Sequence, residues 1–154
     1  MFASKRFGQV SVEFLLVTGA ALLILTASMY FVFGFMQSSA DSTALYQSAN
    51  LGYVLVDEAR SVFLLGSGSF VSVSASNPDL LQSVYVTPDN ALVFNVSTAN
   101  GVVSIPVFSS IPLAGIRSGD SDVSFIHSND RISSGRTSYR LTNRNGVVEI
   151  RQVS

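Results

Sequence analysis

The chain has 154 residues, 47% of them hydrophobic and 12% charged, with a formal net charge of −1. That length supports one modest domain plus a segment, and the charged fraction is about half the usual globular value. There is no cysteine, so an exported domain of this size would be held by its core and its neighbours rather than by disulfides, and the slightly acidic balance leaves no basic footprint for nucleic acid.

The first informative stretch is Lys5-Arg6-Phe7-Gly8-Gln9-Val10-Ser11-Val12-Glu13. A basic pair ends near a glycine, a polar run with one carboxylate follows, and a long apolar helix begins. A secretory signal peptide places its cut after the apolar region; here the candidate cut, between Gly8 and Gln9, lies before it. Such a cut would leave seven arginines against ten carboxylates, a formal net of −3, and make the apolar helix the new N-terminus.

Phe14–Met36 carries no charge, and the next charged residue is Asp41. Its 23 residues would extend roughly 35 Å as a helix, enough to cross a hydrocarbon core of about 30 Å. The basic leader would keep the N-terminus in the cytoplasm and send the remainder outside. Tyr30, Phe31, Phe33 and Phe35 gather at the outer end, where rings suit either a membrane interface or gaps between packed helices. Beyond Met36 the pattern turns amphipathic: Leu51, Val54, Leu55, Ala59 and Val62 recur at three- and four-residue steps while Asp57, Glu58 and Arg60 mostly take other faces. Gln37–Asn50 contains no breaker, so one helix is expected to about Leu65, softened locally at Gly34 or Gly52 and ended by Gly66-Ser67-Gly68-Ser69.

The ordered residues of the N-terminal junction resemble the class III signal peptide of archaeal type IV pilins: Lys5 and Arg6 as the basic leader, Gly8, then Gln9, Ser11 and Glu13 opening the apolar helix. Phe7 departs from the charge often found directly before the glycine, and Val17 from the leucine often found four residues past the glutamate. The resemblance implies a membrane-embedded aspartyl prepilin peptidase cutting after Gly8. It also implies an assembly ATPase with a membrane platform that inserts the mature subunit into a filament. It assigns Glu13 a partner, the new α-amino group of Gln9 on an adjacent subunit, which would set axial register. The plainer role for Glu13 is a first-turn carboxylate beside the helix dipole.

The remainder reads as β structure. Phe70–Ala75 alternates with Val71, Val73 and Ala75 on one face. Ser83–Thr87, Leu92–Val96 and Val102–Phe108 follow, joined by turns at Pro88-Asp89-Asn90 and Asn100-Gly101, and together suggest a meander. Leu92, Phe94 and Val96 should face inward, leaving Asn95 of the sequon Asn95-Val96-Ser97 outward as a possible N-glycosylation site. Pro106 marks an edge or bulged strand. Asn145-Gly146 predicts a type I′ hairpin pairing Leu141 with Ile150 and Asn143 with Val148. Tyr139, Leu141, Val148 and Ile150 would then face the core, and Arg140, Thr142, Glu149 and Arg151 the solvent, with Glu149 bridging its arginine neighbours. Ser109–Gly135 is less regular, with a short strand at Val123–His127.

The expected fold class is α+β, a long helix from about 9 to 65 packed at its C-terminal half on a small antiparallel sheet or sandwich. Its parts are a removable leader at 1–8, an apolar membrane or filament-core helix at 9–36, its amphipathic continuation at 37–65, and a β-rich head at 66–154.

No enzymatic constellation is present. One histidine, His127, and no cysteine exclude a zinc site or Cys-His catalysis within the chain. Gly66-Ser67-Gly68 lacks the strand and elbow of a hydrolase nucleophile, Asp120, Asp122 and Asp130 do not match an EF-hand, and no phosphate-binding glycine loop occurs. No cofactor, metal, nucleic acid or small-molecule substrate is therefore expected. The leading reading is a structural subunit of an extracellular type IV pilus-like filament, serving adhesion or cell contact. It would be stored in the cytoplasmic membrane with its N-terminus inside and polymerise through its helix. The Ser11/Glu13 pattern resembles adhesive pilins more than archaellin-like motor subunits. The alternative is a single-pass anchored binding module that never polymerises and keeps Lys5 and Arg6. A secreted domain cut near Ser28 fits less well, since Glu13 interrupts the basic-to-apolar order of a signal peptide.

Overall fold

A computed structural model describes residues 4–118, 123–126, 132 and 135–153, with side chains from Val12 onward except at 117 and 118. The fold is α+β. Among the described residues one helix, α1 (Ser4–Leu65), precedes nine strands: β1 (Phe70–Asn77), β2 (Leu81–Val86), β3 (Ala91–Thr98), β4 (Gly101–Phe108), β5 (Leu113–Ala114), β6 (Arg117–Ser118), β7 (Ser124–Phe125), β8 (Gly135–Arg144) and β9 (Val147–Val153). Two compact units divide the chain, Met1–Ser39 and Ala40–Ser154.

The helix begins at Ser4, about five residues before the expected start. Nothing between Ser4 and Gln9 breaks a helix except Gly8, whose cost of about 1 kcal/mol the flanking turns absorb. It stops where expected. Gly66 takes φ 93° and donates its N–H to the Phe63 carbonyl at 3.2 Å, the left-handed cap that a glycine accepts without steric penalty.

Within the second unit, Ala44, Leu51, Leu55, Ala59 and Val62 of α1 are buried with the inner faces of the strands in one core. The expected stripe needs one correction. Val54 is 39% exposed and lines a surface groove with Gln47, Asn50 and Ser74–Ser76, while the four-residue step from Leu51 to Leu55 keeps the core face. At Gly52 the structure adds a close approach: a Cβ there would lie 2.6 Å from Val107 Cγ2 and 2.8 Å from Phe94 Cε2. At Gly34 the same Cβ would meet nothing within 4 Å.

The strands form two sheets, ordered β1-β8-β9-β5 and β4-β3-β2-β7-β6. The meander is smaller than expected. It comprises β2, β3 and β4, whereas β1 leaves it and runs antiparallel to β8, with Val73 opposite Tyr139 and Val71 opposite Leu141. Alternation fixes which face of β1 is apolar but says nothing of its neighbour, and Pro78 ends β1 before a direct return to β2 can form. The turn between β3 and β4 is Ala99-Asn100, one residue earlier than expected, because Thr98 pairs with Gly101. Pro106 lies in β4, the edge strand of its sheet, where a missing donor on the outer side costs no ladder bond. In β3, Leu92, Phe94 and Val96 are fully buried, and Ala91 and Val93 on the other face are covered as well.

The final hairpin has the expected register, Leu141 opposite Ile150 and Asn143 opposite Val148. Asn145 at φ 54° and Gly146 at φ 83° supply the two left-handed residues of a type I′ turn. Tyr139, Leu141, Val148 and Ile150 are fully buried. Burial pushes the Tyr139 phenol up to about 12, and its O–H donates to Asn77 Oδ1. Glu149 pairs with Arg144 at 3.1 Å rather than with Arg140 or Arg151. The short strand expected at Val123–His127 is Ser124–Phe125. His127, Asp120, Asp122 and Asp130 lie outside the described residues.

Candidate assembly and processing segment

From Val12 onward, the first unit is a helix whose apolar side chains have no cover. Phe14, Leu15, Leu16 and Val17 are 66–70% exposed, and four consecutive helical residues point in four directions, so the segment is apolar all round. No residue from Val12 to Ala40 is buried. The helix from Val12 onward contains a stretch with a mean hydropathy of 2.1, long and apolar enough to cross a membrane. An exposed apolar surface of this extent requires lipid or other protein around it.

Its few polar groups are arranged for such surroundings. Between Phe14 and Met36 the hydrogen-bonding side chains are Thr18, Thr26, Ser28 and Tyr30. Thr18 donates to the Phe14 carbonyl at 2.7 Å, Thr26 to Leu22 at 2.8 Å and Ser28 to Ile24 at 2.8 Å. Each hydroxyl is satisfied one turn back along its own helix, which removes most of the cost of placing it in an apolar medium. Tyr30, 79% exposed, stands edge-on to Phe31, their centroids 6.2 Å apart, where an amphipathic ring suits the boundary of that medium.

The residues expected to govern processing all fall on α1. Lys5, Arg6, Gly8, Gln9 and Ser11 are helical in backbone, and their side chains lie outside the described set. Glu13, five residues past Gly8, is exposed, and no cation among the described residues pairs with it. From there to Asp41 no charge occurs. Glu13 is thus the single carboxylate at the entry to the apolar segment, at a position where a partner from outside this chain is sterically open to it.

Asn95, the candidate glycan acceptor, is set apart from this segment in β3, the strand between β2 and β4. Its Nδ2 donates to Ser83 Oγ at 3.0 Å and its Oδ1 accepts from Ser104 Oγ at 2.7 Å, its two direct cross-strand neighbours. It points away from the core as expected but is half-buried, and a sugar on Nδ2 would have to leave from the middle of the sheet. The alternation signalled the outward direction. The serine on each side became visible only with the strand register.

Among the described residues no group of histidine, cysteine, aspartate or glutamate is placed to hold a metal ion. No curated protein and no solved structure matches the chain. Residues 6–32 match the family model described as Class III signal peptide. That span takes in Arg6, Gly8, Gln9, Ser11, Glu13 and the apolar helix as far as Val32, so the N-terminal fifth of the chain is similar to the leader and first helix of a type IV pilin-like precursor.

Proposed function

We propose that the chain is a structural subunit of an extracellular type IV pilus-like filament of the archaeal kind, assembled through its N-terminal helix. The observation that carries this is a helix with two environments. From Phe14 to Met36 it is apolar and exposed, whereas from Ala44 to Val62 its buried stripe belongs to a packed core. A soluble monomer has no use for the first half, and a membrane followed by sister helices accounts for all of it.

In this reading a prepilin peptidase cuts between Gly8 and Gln9, removing Lys5 and Arg6 while the helix still lies in the cytoplasmic membrane. The freed α-amino group of Gln9 pairs with Glu13 of a neighbour as an assembly ATPase and its membrane platform draw the subunit out of lipid. Two isolated charges then neutralise one another inside the helical core, and the pairing fixes the axial offset between subunits. The β-rich units stay on the outside of the filament, where they serve adhesion or cell contact.

The test is Gly8→Phe. A bulky side chain at the cut should leave full-length precursor in the membrane and no filaments. Filaments of ordinary length built from uncut Gly8→Phe subunits would overturn the assigned processing. An anchored module that never polymerises would instead retain Lys5 and Arg6 in the unaltered protein.

A further inference from the structure

Among the described residues, the outer face of the sheet β1-β8-β9-β5 carries more cations than carboxylates. Alternation along β8 turns Arg136, Arg140 and Arg144 away from the core, and Arg151 of β9 joins them. These are four of the seven arginines beyond residue 8. Among the described residues a single carboxylate, Glu149, shares the face, and it is engaged with Arg144 at 3.1 Å. Arg140 and Arg151 stand directly opposite one another across the ladder, a like-charge pair that costs stability. Among the described residues neither has a carboxylate within ion-pair reach.

Between these side chains runs a groove of about 250 Å³ lined by Phe70, Arg140, Thr142, Arg144, Glu149 and Arg151. The Arg140 guanidinium lies 5.4 Å from the centre of the Phe70 ring, which is 62% exposed. Ser72, Ser74 and Ser138 continue the same face with hydroxyl groups.

We propose that this face binds an acidic polysaccharide, a glycan bearing carboxylate or sulfate groups. Arg140 and Arg151 present forked donors that match the paired oxygens of such anions, and an anion between them relieves their mutual repulsion. Phe70 offers a flat apolar wall to a sugar ring, and the serine and threonine hydroxyls exchange hydrogen bonds with sugar hydroxyls. A protein partner fits less well, because beyond Phe70 the face offers only Val147 and Val153, each 37% exposed, as an apolar centre. A nucleic acid would meet one aromatic platform on a chain whose net charge beyond residue 8 is −3.

The inference rests on the extracellular placement of the β-rich unit proposed above. Its test uses the full chain held as a monomer in detergent micelles, so the result does not depend on polymerisation. Fluorescein-labelled polygalacturonate and dextran sulfate are titrated at low salt and read by anisotropy, with neutral dextran as control. Both acidic polymers should bind, neutral dextran should not, and added salt should weaken the complexes. The double variant Arg140→Ser/Arg151→Ser should bind at least tenfold more weakly with an unchanged circular dichroism spectrum, while Arg60→Ser, on the exposed side of α1, binds as wild type. Absence of binding by the wild type, equal binding by the double variant, or stronger binding of a single-stranded DNA would each overturn the assignment.

Discussion

Leu23→Asp separates the two roles of α1 cleanly. Leu23 is 74% exposed and lies about 3 Å from the midpoint of Phe14–Met36. Its replacement removes no packing from the β-rich core, and surface changes of that kind shift stability by about 0.5 kcal/mol at most. In an apolar medium the effect is large. Aspartate at a helix centre costs about 2.5–3.5 kcal/mol against roughly −0.5 for leucine, a change of about 3–4 kcal/mol. The twelve Leu, Ile, Phe and Val residues of the segment contribute about −4 to −7 kcal/mol together, so one aspartate offsets half or more of the driving force. Between packed helices an unpaired carboxylate is at least as unfavourable, by about 3–5 kcal/mol. Filament yield in sheared fractions should therefore fall at least tenfold, and membrane retention of the precursor should drop. The melting temperature of the detergent-held chain, followed by near-ultraviolet circular dichroism, should stay within about two degrees of wild type. Normal filament yield, or a melting point lowered by many degrees, would refute the argument. Leu23→Ile should behave as wild type in every assay.

Glu13→Ala should lower filament yield and blur the axial repeat seen by electron microscopy without affecting leader removal; unchanged yield and helical parameters would reduce Glu13 to a first-turn carboxylate. Gly52→Ala should destabilise the second unit by about 1 kcal/mol, because overpacking of about 1–3 kcal/mol against Val107 and Phe94 outweighs a helix-propensity gain of about 1. Gly34→Ala, with nothing within 4 Å, keeps only the propensity gain and should not lower the melting temperature; equal losses in the two variants would contradict the close approach. Tyr139 links stability to alkaline pH. Its native phenol titrates near 12 rather than 10, so its contribution is complete below pH 10. That contribution is lost as the pH rises toward 12, by roughly 1.4 kcal/mol per unit, because the unfolded chain ionises first. Tyr139→Phe should accordingly be the less stable protein at pH 8, and the gap should close or reverse by pH 12; a constant gap would mean the phenol is not protected by burial.

How far the structure could be read beforehand depended on how local each determinant was. The β8–β9 hairpin was legible in turn, register and faces because Asn145-Gly146 dictates turn type, turn type dictates register, and register with alternation assigns both faces. The helix was legible because a charge-free run and an amphipathic run both announce themselves within a few turns. The partner of β1 was not, since Val71, Val73 and Ala75 specify a face while the choice between β2 and β8 depends on contacts more than sixty residues away. The packing role of Gly52 was hidden for the same reason, since Phe94 and Val107 are seen against it only in the folded unit. The ion pair of Glu149 with Arg144 rather than Arg140 could not be read from register, which sets both arginines two residues from the opposed Thr142. For the assembly segment, residue order alone carried most of the signal, whereas the back-bonded hydroxyls of Thr18, Thr26 and Ser28 emerged only from helical geometry.

The central claim is that the bare helix passes from lipid to sister helices once its basic leader has gone. Intact mass and N-terminal sequencing of subunits in filaments sheared from cells test it most directly, with electron microscopy of the same fraction. The account predicts thread-like assemblies whose subunit begins at Gln9 and lacks Lys5 and Arg6. A subunit that still carries Lys5 and Arg6, or a trimmed one found only as a solitary membrane protein, would contradict it.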